Sequence, residues 1–553
     1  MTPVTGFASL AISLLGLAAS QAHAGPSACS GLVSHDPQVQ LIKLVDIQAG
    51  EVPQANPGRA ALTGQALAKA AMPEHCLVQG IIAGRQGADG QAYGVRFELR
   101  MPAQWNGRFL FQGGGGMDGV LNQAVGAIPF RGATGLPALN RGYAVASTDS
   151  GHAGKDSSDA SFGLDQQARL DYAYAAIGSV TREAKQLLHA HYGKAPQHSV
   201  FMGCSNGGRA AMMAAQRYPT EFDGIVAGNP GLRLSRAAVA QAWDTRAFET
   251  AAPRTENHKP ILAQALTREE QTLVADRILA RCDALDGLKD GSIDAMSQCH
   301  FDPTELQCPA TDNTACLSAA KVQALRSVFD GARDSHANAL YSDWPWDAGI
   351  ASDGWRAWKL GNAEGEAPNA RNATLTPGSL GKYFMTPPNA ELKLADVDFD
   401  QVAQQVAQTG AINDPVATQL SSFVAAGGKM LVIQGNSDPV FSANDLRRYW
   451  QRLAADNGGA EALGHWARLF VVPGMTHCGD GPALDDIDPL QALEQWQDQG
   501  LPPASLLARG TAFPGRSRPL CPYPQEAHYN GRGDPQQAAS FTCTSPGLEQ
   551  ATR

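Results

Sequence analysis

The chain has 553 residues, 43% apolar and 17% charged, with 58 Gly and 34 Pro. This is loop-rich globular composition with enough apolar mass for a large core, and it excludes a coiled coil, a collagen and a mostly disordered chain. Lys and Arg number 43 against 53 Asp and Glu, a formal charge of −10; without a basic cluster, such a chain lacks the cations that nucleic-acid phosphates need.

The first 24 residues contain no Asp, Glu, Lys or Arg. An apolar run from Phe7 to Ala19 leads into Ala22-His23-Ala24, so residues 1–24 read as a signal peptide, although its first part lacks the usual Lys or Arg. The run is too short to span a membrane, and no later stretch reaches about 18 apolar residues. The mature chain is therefore expected to be soluble and secreted or periplasmic. Ten cysteines behind such a segment read as disulfides, and no CxxC suggests zinc. The count alone does not give the connectivity. Pairing of sequence neighbours would give Cys29–Cys76, Cys282–Cys299, Cys308–Cys316 and Cys521–Cys543, which leaves Cys204 and Cys478.

Strand patterns begin with Arg96–Leu99, Arg108–Phe111 and Tyr143–Ser147. Helical periodicity covers Gln167–Tyr192. Ser199–Met202 reads as a strand, Arg209–Tyr218 as a helix and Gly224–Gly228 as a strand. From Leu232 to Leu420 the alternation stops; this stretch holds four Cys, and Trp344, Trp346, Trp355 and Trp358 cluster within it. Strands resume at Lys429–Gln434 and Ala467–Val472. The expected fold class is α/β, a doubly wound sheet interrupted by an insertion. Residues 25–231 and 421–553 would build the sheet, and residues 232–420 would form a lid.

Gly203-Cys204-Ser205-Asn206-Gly207 is a G-x-S-x-G. By itself the pattern is weak. Here a strand precedes it and a helix follows, the setting in which a strained turn lifts the serine hydroxyl above the sheet. A hydroxyl needs a histidine base and a carboxylate to orient that base, and on this fold they follow in the order Ser, Asp, His. Asp438 ends the loop after the Lys429 strand, and His477 the loop after the Ala467 strand. A bond between Cys204 and Cys478 would set their Cα atoms about 4.4–6.8 Å apart and so hold Ser205 and His477 in neighbouring positions. The oxyanion hole would use the N–H of Asn206 and, from the glycine-rich loop Gly113–Met117, that of Gly116.

Cys204-Ser205, Asp438 and His477-Cys478 together resemble the tannase and feruloyl esterase family over nearly the whole mature chain. The stretches Arg100–Phe109 and Leu520–Gln525 resemble its bacterial branch that cleaves terephthalate monoesters. The resemblance implies an α/β-hydrolase fold with a large inserted lid, and a serine carboxylesterase acting on esters of aromatic acids. It implies a structural Ca2+ in the lid, held by Asp283, Asp286 and Asp290 with the carbonyls of Leu288 and Ser292; three carboxylates around a glycine suit a hard cation. It also implies that Arg371 holds a free substrate carboxylate, that Trp358 packs on the ring, and that Leu234 and Phe441 are apolar walls. Two positions depart from that branch: Leu375 replaces a Phe that closes on the substrate, and Asn206 replaces a Glu. The leading expectation is hydrolysis of mono(2-hydroxyethyl) terephthalate to terephthalate and ethylene glycol by a monomer. The alternatives are a tannase or feruloyl esterase cleaving phenolic esters, and a catalytically silent calcium-stabilised binding protein.

Overall fold

The computed structural model describes residues 1–2, 28–53, 70–309 and 315–546. The signal-peptide reading therefore falls outside the described residues apart from its first two. Nine strands form one mixed sheet: β1 (Val39–Ile47), β2 (His75–Gln86), β3 (Ala92–Pro102), β4 (Arg108–Gln112), β5 (Ala144–Thr148), β6 (His198–Cys204), β7 (Gly224–Gly228), β8 (Lys429–Gly435) and β9 (Ala467–Val472). Their order across the sheet is β1-β2-β3-β5-β4-β6-β7-β8-β9. β1, β2, β3 and β5 pair antiparallel, and the ladder from β5 through β4 to β9 is parallel.

The parallel strands are apolar throughout because both of their faces are covered. In β4, Phe109 and Phe111 join one buried cluster and Leu110 the opposite one. In β8, Met430 and Val432 face the first side, and Leu431 and Ile433 the second. The helix Asn206–Arg217 covers the first face with Ala210–Ala215. The helix Pro489–Gln499 covers the second with Leu490, Leu493 and Trp496, three positions on one helical stripe.

β7 and β9 begin and end where the sequence places them. The expected helix over 167–192 is helical but contains a π-turn at Asp171–Ala175 between Gln166–Leu170 and Ala176–Tyr192. The helix after Ser205 starts at Asn206, three residues earlier than its periodicity suggests. β1 and β2 carry no clear signal in the sequence. A register shift between Leu41 and Lys43 breaks the period-two pattern on this outer edge.

Among the described residues, the segment between β7 and β8 adds no strand to this sheet. It packs as a largely helical body whose buried apolar residues, including Leu325, Phe329, Ile350, Trp355 and Trp358, share one cluster with Met117, Phe162, Tyr172 and Phe441 of the flanking segments. The C-terminal segment forms two hairpins, Leu506–Ala508 with Arg518–Leu520 and Glu526–Tyr529 with Phe541–Thr544. The Tyr523 N–H donates to the Leu469 carbonyl at 2.7 Å, so this segment covers the outer edge of β9. All ten cysteines are paired: Cys29–Cys76, Cys204–Cys478, Cys282–Cys299, Cys308–Cys316 and Cys521–Cys543. Among the described residues, no helix is long and apolar enough to cross a membrane.

Candidate active site

β6 ends at Cys204 and the next helix starts at Asn206, which leaves Ser205 alone in the turn with φ +63°. Left-handed backbone is costly for a residue with a Cβ, and here it aims the hydroxyl off the sheet. The turn is held tightly: a Cβ on Gly207 would lie 2.6 Å from the Gly114 carbonyl oxygen. Only glycine permits this approach, which sets the loop after β4 directly against the nucleophile turn.

His477 Nε2 lies 2.8 Å from Ser205 Oγ, and His477 Nδ1 lies 3.0 and 3.1 Å from the two oxygens of Asp438. All three side chains are buried. Asp438 Oδ1 accepts the N–H groups of Val440 and Phe441 at 2.8 and 3.2 Å, and Oδ2 accepts Asn229 Nδ2 at 2.7 Å. These donors fix the carboxylate behind the imidazole and satisfy it without water. The Cys204 and Cys478 Cα atoms are 6.2 Å apart, so the bond joins the residue before the serine to the residue after the histidine. The three residues expected from the sequence to form a triad are thus brought together.

At the proposed oxyanion end, Asn206 is the first helical residue, so its N–H has no acceptor within the helix. Its side chain is turned away: Nδ2 donates to Asp118 at 3.1 Å and Oδ1 accepts from Arg209 Nε at 2.6 Å. Gly116 sits on the neighbouring loop, where its carbonyl accepts the Tyr172 hydroxyl at 2.9 Å. Asp118 and Asn229 are contributors that the sequence reading missed. Burial pushes the Asp118 carboxyl up from its ordinary range. Asn229 had a usable signal, since it follows directly on β7 at the end of the sheet where sites assemble.

Beside the imidazole stand two rings, Trp358 at 5.5 Å and Phe441 at 5.4 Å between centroids, both edge-on. Phe441 and Leu234 close around Gly231, with atoms 3.0 and 3.3 Å from where its Cβ would be. The Arg371 guanidinium lies over the Trp358 ring, 5.2 Å from its centre. Burial and the nearby Arg131 push Arg371 down to about 10, and it makes no ion pair among the described residues. Leu375 lies one turn further along the same helix, Arg371–Gly378, and packs partly buried on the apolar cluster that also holds Trp358 and Phe441.

The acidic loop lies apart from this site, against the C-terminal hairpins. Asp283 accepts the N–H groups of Asp290 and Gly291 at 3.1 and 3.0 Å. Asp286 accepts those of Leu288 and Asp294 at 2.9 and 3.3 Å, and Asp290 pairs with Arg518. The N–H of Ser292 donates to Asp290 at 3.1 Å. No three of these carboxylates bring oxygens within 4.8 Å of one another. Two features nevertheless fit a divalent cation. Asp294 has a buried oxygen without a hydrogen-bond partner, and burial with the neighbouring Asp294 pushes the Asp286 carboxyl up to about 8.

A strained serine after a central strand, a hydrogen-bonded imidazole and a buried carboxylate on later strand ends define a serine hydrolase of the α/β-hydrolase fold. Comparison with known proteins narrows the class. The chain belongs to the tannase and feruloyl esterase family, whose profile matches residues 76–544, and it is a carboxylic ester hydrolase. It is 40% identical over 523 residues to mono(2-hydroxyethyl) terephthalate hydrolase of Piscinibacter sakaiensis, with 86% of each chain covered. It is 28% identical over 469 residues to a probable feruloyl esterase of Arthroderma benhamiae, with 80% of this chain and 81% of that one covered. The crystal structure of feruloyl esterase B from Aspergillus oryzae superposes with a TM-score of 0.77 at 22% identity, covering 94% of this chain and 100% of that one; this likeness concerns the fold.

Proposed function

We propose that the protein is an exported esterase that hydrolyses monoesters of aromatic dicarboxylic acids, with mono(2-hydroxyethyl) terephthalate as the leading substrate. The observation that carries this reading is Arg371. A partly desolvated guanidinium without an anionic partner among the described residues rests on Trp358, whose ring meets the imidazole of His477 edge-on. A flat ring bearing an ester at one end and a carboxylate at the other fits that arrangement, with the carboxylate on the arginine fork and the ester carbonyl at the serine. The relative from Piscinibacter sakaiensis, by its name, supports the same substrate class.

In this reading His477 takes the proton of Ser205 Oγ as that oxygen attacks the ester carbonyl. The N–H groups of Gly116 and Asn206 bind the oxyanion, and Asp438 orients and stabilises the imidazolium. His477 then protonates the departing alcohol, ethylene glycol for the leading substrate, and an acyl-enzyme remains. Water deprotonated by the same imidazole releases the acid. Residues 232–420 act as the lid over this site and residues 25–231 and 421–553 as the hydrolase body. Asp283, Asp286 and Asp290, with the carbonyls of Leu288 and Ser292, would hold a structural Ca2+, whose charge would offset that of the buried carboxylates. Five disulfides support export.

The test is a substrate panel with the Arg371→Ala variant. We expect kcat/KM for mono(2-hydroxyethyl) terephthalate to fall by about 10–100-fold, the worth of a charged hydrogen bond of about 1.5–3 kcal/mol. Cleavage of neutral methyl ferulate should be little changed. Equal losses on both esters would move the assignment to phenolic esters.

A further inference from the structure

The inserted segment does more than cover the serine: it touches both loops that carry the other triad members. The segment enters as a short turn, Ala348–Ala351, followed by the helix Asp353–Lys359 that carries Trp358. Asp347, just before the turn, is buried. Its Oδ2 accepts Asn436 Nδ2 at 2.9 Å and the Gly474 N–H at 2.8 Å, while its Oδ1 accepts the Ala348 N–H at 2.7 Å. Asn436 stands two residues before Asp438, and Gly474 three residues before His477.

Contacts that follow Asp347 in the chain reinforce this link. The Gly349 N–H donates to Ser437 Oγ at 3.1 Å. A Cβ on Gly349 would lie 2.4 Å from Ser437 Oγ and 2.6 Å from the Gly474 carbonyl oxygen, and one on Gly354 would lie 2.5 Å from Thr476 Oγ1. The insertion is therefore seated between the two loops without room for a side chain. Asn436 cannot readily reverse its amide, because its Oδ1 accepts from Arg447 Nη2 at 2.8 Å.

We propose that Asp347 is a positioning residue: a carboxylate of the inserted segment that ties the Asp438 loop to the His477 loop, so that the seating of residues 347–358 sets the imidazole–carboxylate geometry. It touches neither substrate nor triad and acts through Asn436 and Gly474. The segment then stays docked through turnover, since lifting it would release both loops. This rests on the serine-esterase reading only in using turnover as the readout.

The test removes the acceptor that the two loops share. Asp347→Ala takes Oδ2 from Asn436 Nδ2 and from the Gly474 N–H together. We expect kcat to fall by about tenfold or more with KM little changed, because a misplaced base affects the transition state more than binding. Asp347→Asn can keep one oxygen for both donors, with its amide nitrogen towards the Ala348 N–H, and should retain most of kcat. Asn436→Ala, which leaves Asp347 its two backbone partners, reads the same link should Asp347→Ala not fold, and should lower kcat alike. Melting temperature and fluorophosphonate labelling separate the outcomes. Full kcat in folded Asp347→Ala or Asn436→Ala, or a folded Asp347→Asn no more active than Asp347→Ala, overturns the proposal. Loss of all labelling in the wild-type chain would instead strike the serine-esterase reading.

Discussion

Asn229 Nδ2 donates to Asp438 Oδ2 at 2.7 Å, joining the end of β7 to the loop after β8 beneath the His477 imidazole. Asn229 has φ +35°, a strained value that suits a residue held by its surroundings. The bond fixes the carboxylate oxygen that also faces His477 Nδ1 at 3.0 Å.

Asn229→Ala should therefore lower kcat about 10–100-fold, the equivalent of about 1.5–3 kcal/mol for a hydrogen bond to a charged group. KM should move little. Steady-state kinetics on a chromogenic aromatic ester, with a melting curve as the control for folding, checks this.

The Cys204–Cys478 bond spans 274 residues, for which the chain-entropy relation gives an upper figure of about 5–6 kcal/mol. The double variant Cys204→Ser/Cys478→Ser should melt well below the wild type. At temperatures where it is still folded it should also turn over more slowly, because the bond holds Ser205 and His477 together. Calorimetry and kinetics on the same sample separate the two effects.

Calcium should stabilise the chain, and more so as pH rises. Without a cation, the folded Asp286 carboxyl is pushed up to about 8, whereas in the unfolded chain it titrates near 4. Between those values the folded state holds the extra proton, so stability declines as pH rises. A bound cation removes that proton and with it the decline. Melting temperatures with EDTA and with excess Ca2+ should diverge from pH 5 to pH 8. Asp286→Asn should abolish the divergence.

Much of this was legible in the sequence because parallel strands buried on both faces give continuous apolar runs, as at Gly224–Gly228 and Ala467–Val472. Ser205, Asp438 and His477 stand out because each follows such a run. β1 did not stand out, because a bulge interrupts its alternation. Asp118 and Asp347 did not either, since each acts through a partner remote in the chain, residues 206 and 436; Asn229 is marked only by its place directly after β7. Calcium ligation rests on resemblance, for three carboxylates in a loop also describe an ordinary solvated turn.

Position 375 makes a graded prediction. Leu375→Phe, on the helix that carries Arg371, adds an aromatic face at the rim of the proposed acid site, where ring pairs contribute about 0.5–1.5 kcal/mol. It should lower KM for mono(2-hydroxyethyl) terephthalate by about 2–10-fold, as initial-rate measurements would show.

The most direct measurement is peptide mass mapping after incubation with a fluorophosphonate probe. One adduct on the peptide containing Ser205 is expected, lost in His477→Ala and strongly slowed in Asp438→Ala. No adduct, an adduct on another residue, or undiminished labelling without His477 would contradict the hydroxyl–imidazole–carboxylate couple.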